Sequence, residues 1–399
     1  MAYDANRLRA RVSGLREGAA HFDGPGGTQV PDEVADAISE TLRAAVSNRG
    51  RGTSAERRAD DIVVGARQAM ADLLGADPRG IVFGRSMTQI TMDIARTLAQ
   101  DWGPGDEVVV SRLDHDADVR PWVIHAERAG ATVRWADFDP ATGELTPDDV
   151  VRHVTPRTRL VALTGASNLI GTRPDLAAIG VGVHEHGALL YVDGVHLTAH
   201  APIDVAAIGC DFYACSPYKF LGPHLGVLAA SPDLLETLHP DKLLPATNVV
   251  PERFELGTLP YELLAGVTAA VDVLADLVPS DGDRRTRILT SMQALEDYED
   301  ALHARMREGL ESIPGIRLYS NAKHRTPTET FTIDGHASAD ISAHLASRGV
   351  NAPAGNFYAL EVSRWLGLGD AGGVRVGLAP YSHDDDVDRL IAGLRDLTA

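Results

Sequence analysis

Two short stretches decide the fold: Ala188-Leu-Leu-Tyr-Val-Asp-Gly-Val-His196 and Asp211-Phe-Tyr-Ala-Cys-Ser-Pro-Tyr-Lys219. Each contains an apolar run of strand length that leads into a polar group, Asp193 in the first stretch and Lys219 in the second. Uninterrupted apolar runs are typical of strands that are buried on both faces of a parallel sheet. Because parallel strands end at one edge of the sheet, we expect Asp193 and Lys219 to emerge close together.

The same alternation of apolar runs and amphipathic stretches extends over residues 81–230. It predicts an α/β domain with a mostly parallel seven-stranded sheet that is flanked by helices. The predicted strands are Ile81–Phe83, Glu107–Ser111, Val133–Phe138, Leu160–Thr164, Leu189–Asp193, Phe212–Cys215 and Gly226–Ala230. The predicted helices are Thr88–Gln100, Arg120–Ala129, Thr146–His153 and Asp175–His186.

After about residue 260 the pattern changes to long helices and short strands. Helices are predicted over Tyr261–Leu277, Arg284–Ser312, Ala339–Arg348, Tyr358–Leu366 and from Asp384, and strands over Ile316–Tyr319, Thr328–Ile333 and Val374–Leu378. A chain of 399 residues exceeds the size at which one core usually keeps growing. We therefore predict a large domain of residues 18–260 and a smaller α+β domain formed by residues 1–17 and 261–399.

The charge balance and the composition exclude several classes of partner. The chain carries 37 Lys and Arg against 56 Asp and Glu, a net charge of -19. Nucleic acids and anionic membranes attract clustered positive charge, so neither is expected as a partner. There is no apolar run of membrane-spanning length, and residues 1–16 lack the apolar core of a signal peptide, so a cytoplasmic protein is expected. The two cysteines, Cys210 and Cys215, are too few for a disulfide framework or, alone, for a metal site.

Asp193 and Lys219 together suit the cofactor pyridoxal 5′-phosphate (PLP). A carboxylate keeps the pyridine nitrogen protonated so that the ring accepts electrons, and a lysine forms a Schiff base and moves protons. On spacing alone, an aspartate that caps a turn and an ordinary surface lysine explain the pattern equally well. Dinucleotide binding is not expected, because the glycine-spaced stretches at 50–55 and 367–372 do not connect a strand to a helix.

Further segments, in a specific order and spacing, decide between these interpretations. They are His21–Thr28, Phe83–Thr88, Asp114–Asp118 with Pro121 and Trp122, Ala166–Asn168, Asp193–His196, Ser216–Lys219, Glu255–Thr258 and Val374–Arg375. Together they resemble the class V aminotransferase group of fold-type I PLP enzymes, which contains cysteine desulfurases, selenocysteine lyases and isopenicillin N epimerase. The resemblance extends from about residue 21 to residue 397. It implies PLP as cofactor, a small amino-acid substrate and a homodimer with shared active sites.

The resemblance also implies a role for each matching residue. Lys219 corresponds to the Schiff-base lysine and Asp193 to the partner of the ring nitrogen, with His196 and Asn168 near the ring hydroxyl. Arg375 corresponds to the group that grips the substrate carboxylate, a task suited to a bidentate guanidinium. Phosphate contacts are expected from Ser86, Met87, Thr88, Ser216 and Tyr218, and from Thr258 of a neighbouring subunit. Asn356 and Tyr358, in the 351–358 loop, are expected beside the substrate.

Two departures from the family pattern bear on the chemistry. Desulfurases carry a histidine that stacks on the PLP ring, and the aligned residue is Asp116, one position after His115. Which of the two covers the ring and takes part in acid–base catalysis stays open; His115 is favoured because an imidazole stacks and a carboxylate does not. Desulfurases also carry a nucleophilic cysteine on a loop of the small domain, and the corresponding stretch, Asn351–Ala359, contains none. Desulfuration through a persulfide is therefore not expected.

The sequence thus predicts a PLP enzyme that acts on an amino acid or a cysteine S-conjugate. C–S β-elimination without a catalytic cysteine is the leading hypothesis, because the related enzymes work on sulfur or selenium at the β-carbon. The alternatives are an aminotransferase, a decarboxylating deaminase or an epimerase of a biosynthetic pathway. A non-catalytic protein with the same fold is less favoured, because the residues that would hold the cofactor are present.

Overall fold

The computed structural model describes residues 3–319 and 321–398, and its strands and helices follow the predicted alternation over most of the chain. The strands are β1 (Ala20–His21), β2 (Ile81–Gly84), β3 (Glu107–Ser111), β4 (Thr132–Ala136), β5 (Thr158–Thr164), β6 (Leu189–Asp193), β7 (Phe212–Cys215), β8 (Gly226–Ala230), β9 (Ile316–Leu318), β10 (Thr328–Ile333), β11 (Val350–Asn351), β12 (Ala354–Gly355) and β13 (Gly373–Gly377). The α-helices are α1 (Ala5–Arg9), α2 (Asp32–Arg43), α3 (Ser54–Leu74), α4 (Met87–Leu98), α5 (Arg120–Ala129), α6 (Pro147–Val151), α7 (Leu176–His184), α8 (Val205–Ile208), α9 (Pro232–Thr237), α10 (Tyr261–Ala275), α11 (Arg284–Glu311), α12 (Ser338–Ala346), α13 (Leu360–Trp365) and α14 (Asp384–Thr398).

A seven-stranded sheet with the order β2-β8-β7-β6-β5-β3-β4 forms the centre of the N-terminal part. Neighbouring strands are parallel, except that β8 runs antiparallel to both β7 and β2. Alternate residues of β6 pack into two different cores: Leu190 and Val192 into one, Tyr191 into the other. The sheet is therefore covered on both faces, which confirms the mostly parallel, helix-flanked α/β fold.

The register of β6 and β7 brings the two decisive stretches to one edge of this sheet. The two strands are parallel, with Asp193 opposite Ala214. A short helical turn, Pro217–Lys219, follows β7 directly. Asp193 and Lys219 consequently emerge beyond the carboxyl ends of adjacent strands, as their sequence positions predict.

A second, four-stranded antiparallel sheet lies in the C-terminal part, in the order β12-β13-β10-β9. A separate core contains residues of its strands β10 and β13 and of helices α11, α12 and α14. Ala20 and Phe22 belong to the same core, since β1 pairs with β11. The predicted division of the chain at residue 260 remains a prediction. No helix in the described residues has the length and hydropathy needed to cross a membrane.

The predicted helix over Tyr358–Leu366 is wrong at its start, and the reason is local. Phe357 and Tyr358 have φ angles of 52° and 59°, in the left-handed region, so α13 begins only at Leu360. The two-residue strand β12 before this turn was not predicted. A hydrophobic pattern needs several residues before it indicates a strand, so it does not predict an element of two residues.

A buried ion pair connects α3, β2 and the segment before residue 260. Arg67 donates from Nη1 to Oε1 and from Nη2 to Oε2 of Glu255, both at 2.8 Å, and the side chains are only 8% and 5% exposed. The backbone N–H of Phe83 donates to the same carboxylate at 2.9 Å. Because the pair is bidentate and removed from water, loss of one partner leaves a buried charge without compensation.

We expect Glu255→Gln to lower the free energy of unfolding by about 3–5 kcal/mol, because the Arg67 guanidinium would stay buried without its counter-charge. Denaturant unfolding followed by circular dichroism measures the change. The matched control is Asp388→Asn, which breaks an exposed pair with Arg305 and should shift the unfolding midpoint far less. Equal shifts for the two variants would contradict the prediction.

Candidate active site

A cavity of about 310 Å³ lies at the carboxyl edge of the seven-stranded sheet and reaches β13 of the second sheet. Most of the predicted site residues line it. They are Met87, Thr88, His115, Asn168, Asp193, His196, Ser216, Tyr218, Lys219, Tyr358 and Arg375. The lining also includes Pro25, Gly26 and Phe357, which the sequence did not single out.

The Lys219 amine is held at the cavity by the turn that follows β7. Nζ donates a hydrogen bond to the carbonyl oxygen of Pro25 and lies 4.8 Å from the centre of the Tyr218 ring. Desolvation and, next, the positive charge of Arg375 lower the pKa of Lys219 to about 7, while Asp193 opposes the shift. A lysine with this pKa has a substantial fraction of neutral amine near pH 7, which is the form that reacts with carbonyl groups.

Asp193 ends β6 with its carboxylate buried against the cavity. The side chain is 4% exposed, and Oδ1 accepts a hydrogen bond from the N–H of Val195 at 2.9 Å. Burial raises the pKa of Asp193 to about 6, against the N–H of Val195 and the charge of Lys219. Gly194 permits the turn, because a Cβ there would lie 2.0 Å from Cζ of Tyr213. A carboxyl group with a raised pKa is suited to sharing a proton with a heterocyclic nitrogen.

His115, and not Asp116, lines the cavity. The ring of His115 stacks on Tyr358 with centroids 5.6 Å apart, and Nδ1 accepts from the N–H of Ala117 at 3.0 Å. The proton of the neutral ring is therefore on Nε2. Burial and, next, the charge of Lys219 lower the pKa of His115 to about 4. The Asp116 carboxylate instead accepts from Nε and Nη2 of Arg120 at 3.0 and 2.7 Å.

The N-terminus of α4 borders the cavity, and its first two residues, Met87 and Thr88, are part of the lining. The Ser86 hydroxyl caps the helix by accepting from the N–H of Gln89 at 3.1 Å, so Ser86 shapes the turn and does not line the cavity. Gly226 lets this turn pack against β8, since a Cβ there would lie 2.2 Å from the Ser86 carbonyl carbon. Free N–H groups and the helix dipole favour an anion at such a terminus.

His196 is fixed by two threonines that sequence reasoning missed. Nε2 of His196 lies 2.9 Å from Oγ1 of Thr326 and 3.0 Å from Oγ1 of Thr328. Burial and, next, the neighbouring His200 lower the pKa of His196, so the ring is neutral. Both threonines lie more than one hundred positions away, in or beside β10, and no local signal in the sequence links them to His196.

Arg375 points into the cavity from β13 with one edge of its guanidinium unpaired. The residue is 2% exposed; Nη1 donates to the carbonyl oxygen of Asn168 at 3.0 Å, while the buried Nε has no hydrogen-bond partner among the described residues. Oδ1 of Asn168 is also buried without a partner in the part of the chain that the structure describes. Burial lowers the pKa of Arg375 to about 9, with Asp23 opposing. A desolvated guanidinium edge without an acceptor is suited to binding a carboxylate.

The remaining predicted residues lie outside the cavity lining. Thr258 lies in a separate, largely apolar cavity with Phe254 and Leu259. Asn356 uses its side chain within its own loop, where Oδ1 accepts from the N–H of Tyr358 and Nδ2 donates to the carbonyl oxygen of Asp370. The roles expected for these residues therefore stay predictions. Within residues 3–319 and 321–398, no group of three or more His, Cys, Asp or Glu is arranged to hold a metal ion.

Comparison with known proteins identifies the family to which the chain belongs. The family model for aminotransferase class-V matches residues 20–390. The chain belongs to the class-V aminotransferase family. Class-V aminotransferases and their cysteine desulfurase relatives use PLP, so the protein is a PLP-dependent enzyme of fold type I.

Three relatives show how far the similarity extends. An uncharacterized protein of Mycobacterium tuberculosis, MT3887, is 34% identical over 100% of both chains. The aminotransferase-like protein FGM3 of Gibberella zeae is 32% identical over 98% of both chains. The crystal structure of the cysteine desulfurase CsdA from Escherichia coli has a TM-score of 0.87 at 27% identity, over 100% of both chains. This class-V member therefore matches its relatives along its whole length.

The lowered pKa of Lys219 predicts its reactivity in the full-length protein freed of cofactor. Reaction with an amine-directed reagent, followed by peptide mass spectrometry, should rise with pH around a midpoint near 7, because the neutral amine appears there. Arg375→Gln removes a nearby positive charge and should move the midpoint upward. A midpoint near the ordinary lysine value of about 10.4 would contradict this account of the site.

Proposed function

We propose that this enzyme cleaves the C–S bond of an amino acid or cysteine S-conjugate by β-elimination, without a catalytic cysteine. The observation that supports it most is the chemistry of the cavity wall. A lysine with a lowered pKa and an arginine whose Nε has no partner among the described residues both line the cavity, and the described lining includes no thiol. The two thiols lie elsewhere. Burial raises the pKa of Cys210 to about 12 and also raises the pKa of Cys215, which keeps both in the unreactive protonated form.

The residues present fit PLP, because Oδ1 of Asn168 is buried with no partner among the described residues and the first residues of α4, Met87 and Thr88, line the cavity. Lys219 would hold the aldehyde carbon, Asp193 the ring nitrogen, and His196 with Asn168 the ring hydroxyl. The phosphate would lie against Thr88, Met87, Ser216 and Tyr218, beside the helix terminus. When bound, the cofactor supplies an electron-accepting ring that stabilises negative charge at Cα of the substrate.

Arg375 would bind the substrate α-carboxylate through its free edge. Nη1 is already used by Asn168, so Nε and the neighbouring Nη2 form the remaining two-donor fork. A bidentate pair in a desolvated site fixes the orientation of the carboxylate as well as its affinity. The Cα–H bond is thereby held toward Lys219.

The amine of the substrate would displace Lys219 from the cofactor, and Lys219 is then proposed to remove the α-proton, since its freed amine is neutral in part near pH 7. The electron pair of the Cα–H bond then forms a Cα–Cβ double bond while the Cβ–S bond breaks, and sulfur leaves with the electron pair of the Cβ–S bond. The protonated Lys219 returns a proton to the thiolate. Hydrolysis of the remaining fragment gives pyruvate and ammonia. The Nε2–H of His115 would orient the leaving sulfur in this scheme.

A transaminase is the second candidate, and the same lysine supports it. In that reaction Lys219 would move the α-proton without loss of sulfur, hydrolysis would release a keto acid with its C–S bond intact, and the amino group would pass through the cofactor to an acceptor keto acid. Decarboxylation and epimerisation use the same anchoring residues but move a different group or deliver the proton to the other face. Two observations favour elimination. The described residues that line the cavity include no thiol, and the fold is similar to that of a cysteine desulfurase.

We also propose a cytoplasmic homodimer with shared active sites. Thr258 lies outside the cavity of its own protomer, next to a segment with exposed apolar side chains, and such a patch favours association. The exposed side chains are Leu243, Leu244, Val249 and Leu256. The two unpaired cysteines support a reducing compartment.

Lys219→Ala should lose the absorption band of cofactor that borohydride fixes covalently to the protein, because no other lysine of the described chain lines the cavity to bind the cofactor covalently. Absorption spectra before and after reduction with borohydride measure this. Lys323→Ala, which removes an exposed lysine outside the cavity, is the control and should keep the band. A colourless wild-type protein after supplementation with PLP would reject the proposed cofactor site.

A product assay separates the two candidate reactions. Incubation with cysteine, cystathionine-like thioethers and common amino acids should release pyruvate together with free thiol from a sulfur-bearing substrate. Cys215→Ala should retain this activity, because a buried thiol with a raised pKa takes no part in it. Keto acid formation that depends on an amino acceptor, without free thiol, would replace the lyase with the transaminase.

A further inference from the structure

The ring of Phe357 lies directly on the guanidinium of Arg375. Cζ of Arg375 is 3.7 Å from the centre of the ring, well within the range of a cation–π contact. The ring therefore covers one face of the guanidinium, whereas the hydrogen-bonding edges lie in the guanidinium plane. Contact on the face leaves these in-plane donors clear of the ring, and the buried Nε of Arg375, a residue that lines the cavity, has no hydrogen-bond partner among the described residues.

Asn168 ties these two residues to each other. Its backbone carbonyl accepts from Nη1 of Arg375 at 3.0 Å, and its side-chain Nδ2 donates to the carbonyl oxygen of Phe357 at 3.0 Å. One residue thus fixes the edge of the guanidinium and the backbone of the residue that covers its face. Rotation of Arg375 would break the first bond or collide with the ring.

The backbone that carries Phe357 is strained and held from several sides. Phe357 and Tyr358 are consecutive non-glycine residues in the left-handed region, a conformation that persists only when surrounding contacts impose it. The N–H of Asp116 donates to the carbonyl oxygen of Tyr358 at 2.7 Å. Farther along, the largely buried Glu361 accepts from Arg112 at 2.9 Å and from Arg120 at 3.2 Å.

We propose that Phe357 is a positioning residue, whose ring holds Arg375 so that its Nε edge faces the carboxylate of the substrate. The inference rests on the proposed carboxylate-binding role of Arg375. The ring also keeps water from the face of the guanidinium, which strengthens an ion pair formed at its edge. The strained turn at 357–358 is the structural cost of placing an aromatic ring there.

The ring rather than the bulk of the side chain is what the proposal requires. Phe357→Leu keeps an apolar side chain but removes the π face, whereas Phe357→Tyr keeps the face. We expect Phe357→Leu to weaken binding of propionate, a carboxylate without an amine, roughly tenfold, and Phe357→Tyr to change it by less than about twofold. Titration calorimetry of the holoenzyme measures both.

Arg375→Gln, which removes the charge, separates failure of this inference from failure of the proposed function. If Arg375→Gln binds propionate as the wild type does, Arg375 is not the carboxylate site and the proposed function loses its anchor. If Arg375→Gln loses binding while Phe357→Leu retains it, only the role of Phe357 is overturned. Equal losses in Phe357→Leu and Phe357→Tyr would also overturn it, since the loss would not depend on the ring.

Steady-state kinetics provide the second measurement. A positioning role predicts that Phe357→Leu raises KM for the amino acid by a larger factor than it lowers kcat. A fall in kcat with KM unchanged would contradict the proposal, because the carboxylate contact would be intact. Phe357→Met, also without a ring, replaces Phe357→Leu if the leucine variant does not fold, with the same expected loss of propionate affinity, roughly tenfold.

Discussion

The site depends on one physical constraint: its charged side chains are removed from water at the carboxyl edge of the seven-stranded sheet. Asp193, Lys219 and Arg375 are the charged residues among those that line the cavity, and each has its pKa moved toward the neutral form by desolvation. Two potential cations face one potential anion. A cavity of this kind is incomplete without anionic ligands, and the phosphate of PLP and a substrate carboxylate are two such groups.

The same constraint explains why the site lies between two sheets. The parallel sheet delivers Asp193 and the Lys219 turn from adjacent strands, because parallel strands end together. Arg375 comes from β13 of the antiparallel sheet. The threonines that fix His196 are Thr328, in β10 of the same sheet, and Thr326, just before that strand. The relative placement of the two sheets therefore sets the distance between the Lys219 amine and the proposed carboxylate-binding edge of Arg375, so core contacts far from the cavity bear on the proposed chemistry.

Much of this arrangement is readable from the sequence, and the limits are physical. Apolar runs such as Leu189–Asp193 predict buried strands because burial on both faces demands an unbroken run, and their polar ends predict the site. The contact between Phe357 and Arg375 cannot be predicted from the sequence, because it depends on two residues in the left-handed region, for which no sequence pattern is typical. Which of His115 and Asp116 lines the cavity likewise needed the structure, where the Asp116 carboxylate is paired with Arg120 and His115 is in the lining.

The aromatic turn at Phe357 and Tyr358 lies where the resemblance to desulfurases implies a cysteine-bearing loop, and this difference has a consequence for the proposed site. A nucleophile that collects sulfur must move between substrate and acceptor, so its loop is required to be mobile. The turn at 357–358 is instead held by Asn168, by the N–H of Asp116 and by the Glu361 bridges. A segment held in this way suits a wall that orients a substrate, and in the proposed mechanism Lys219 is the group that moves protons. The proposed elimination requires no nucleophile that attacks sulfur, because the sulfur leaves with the electron pair of the Cβ–S bond.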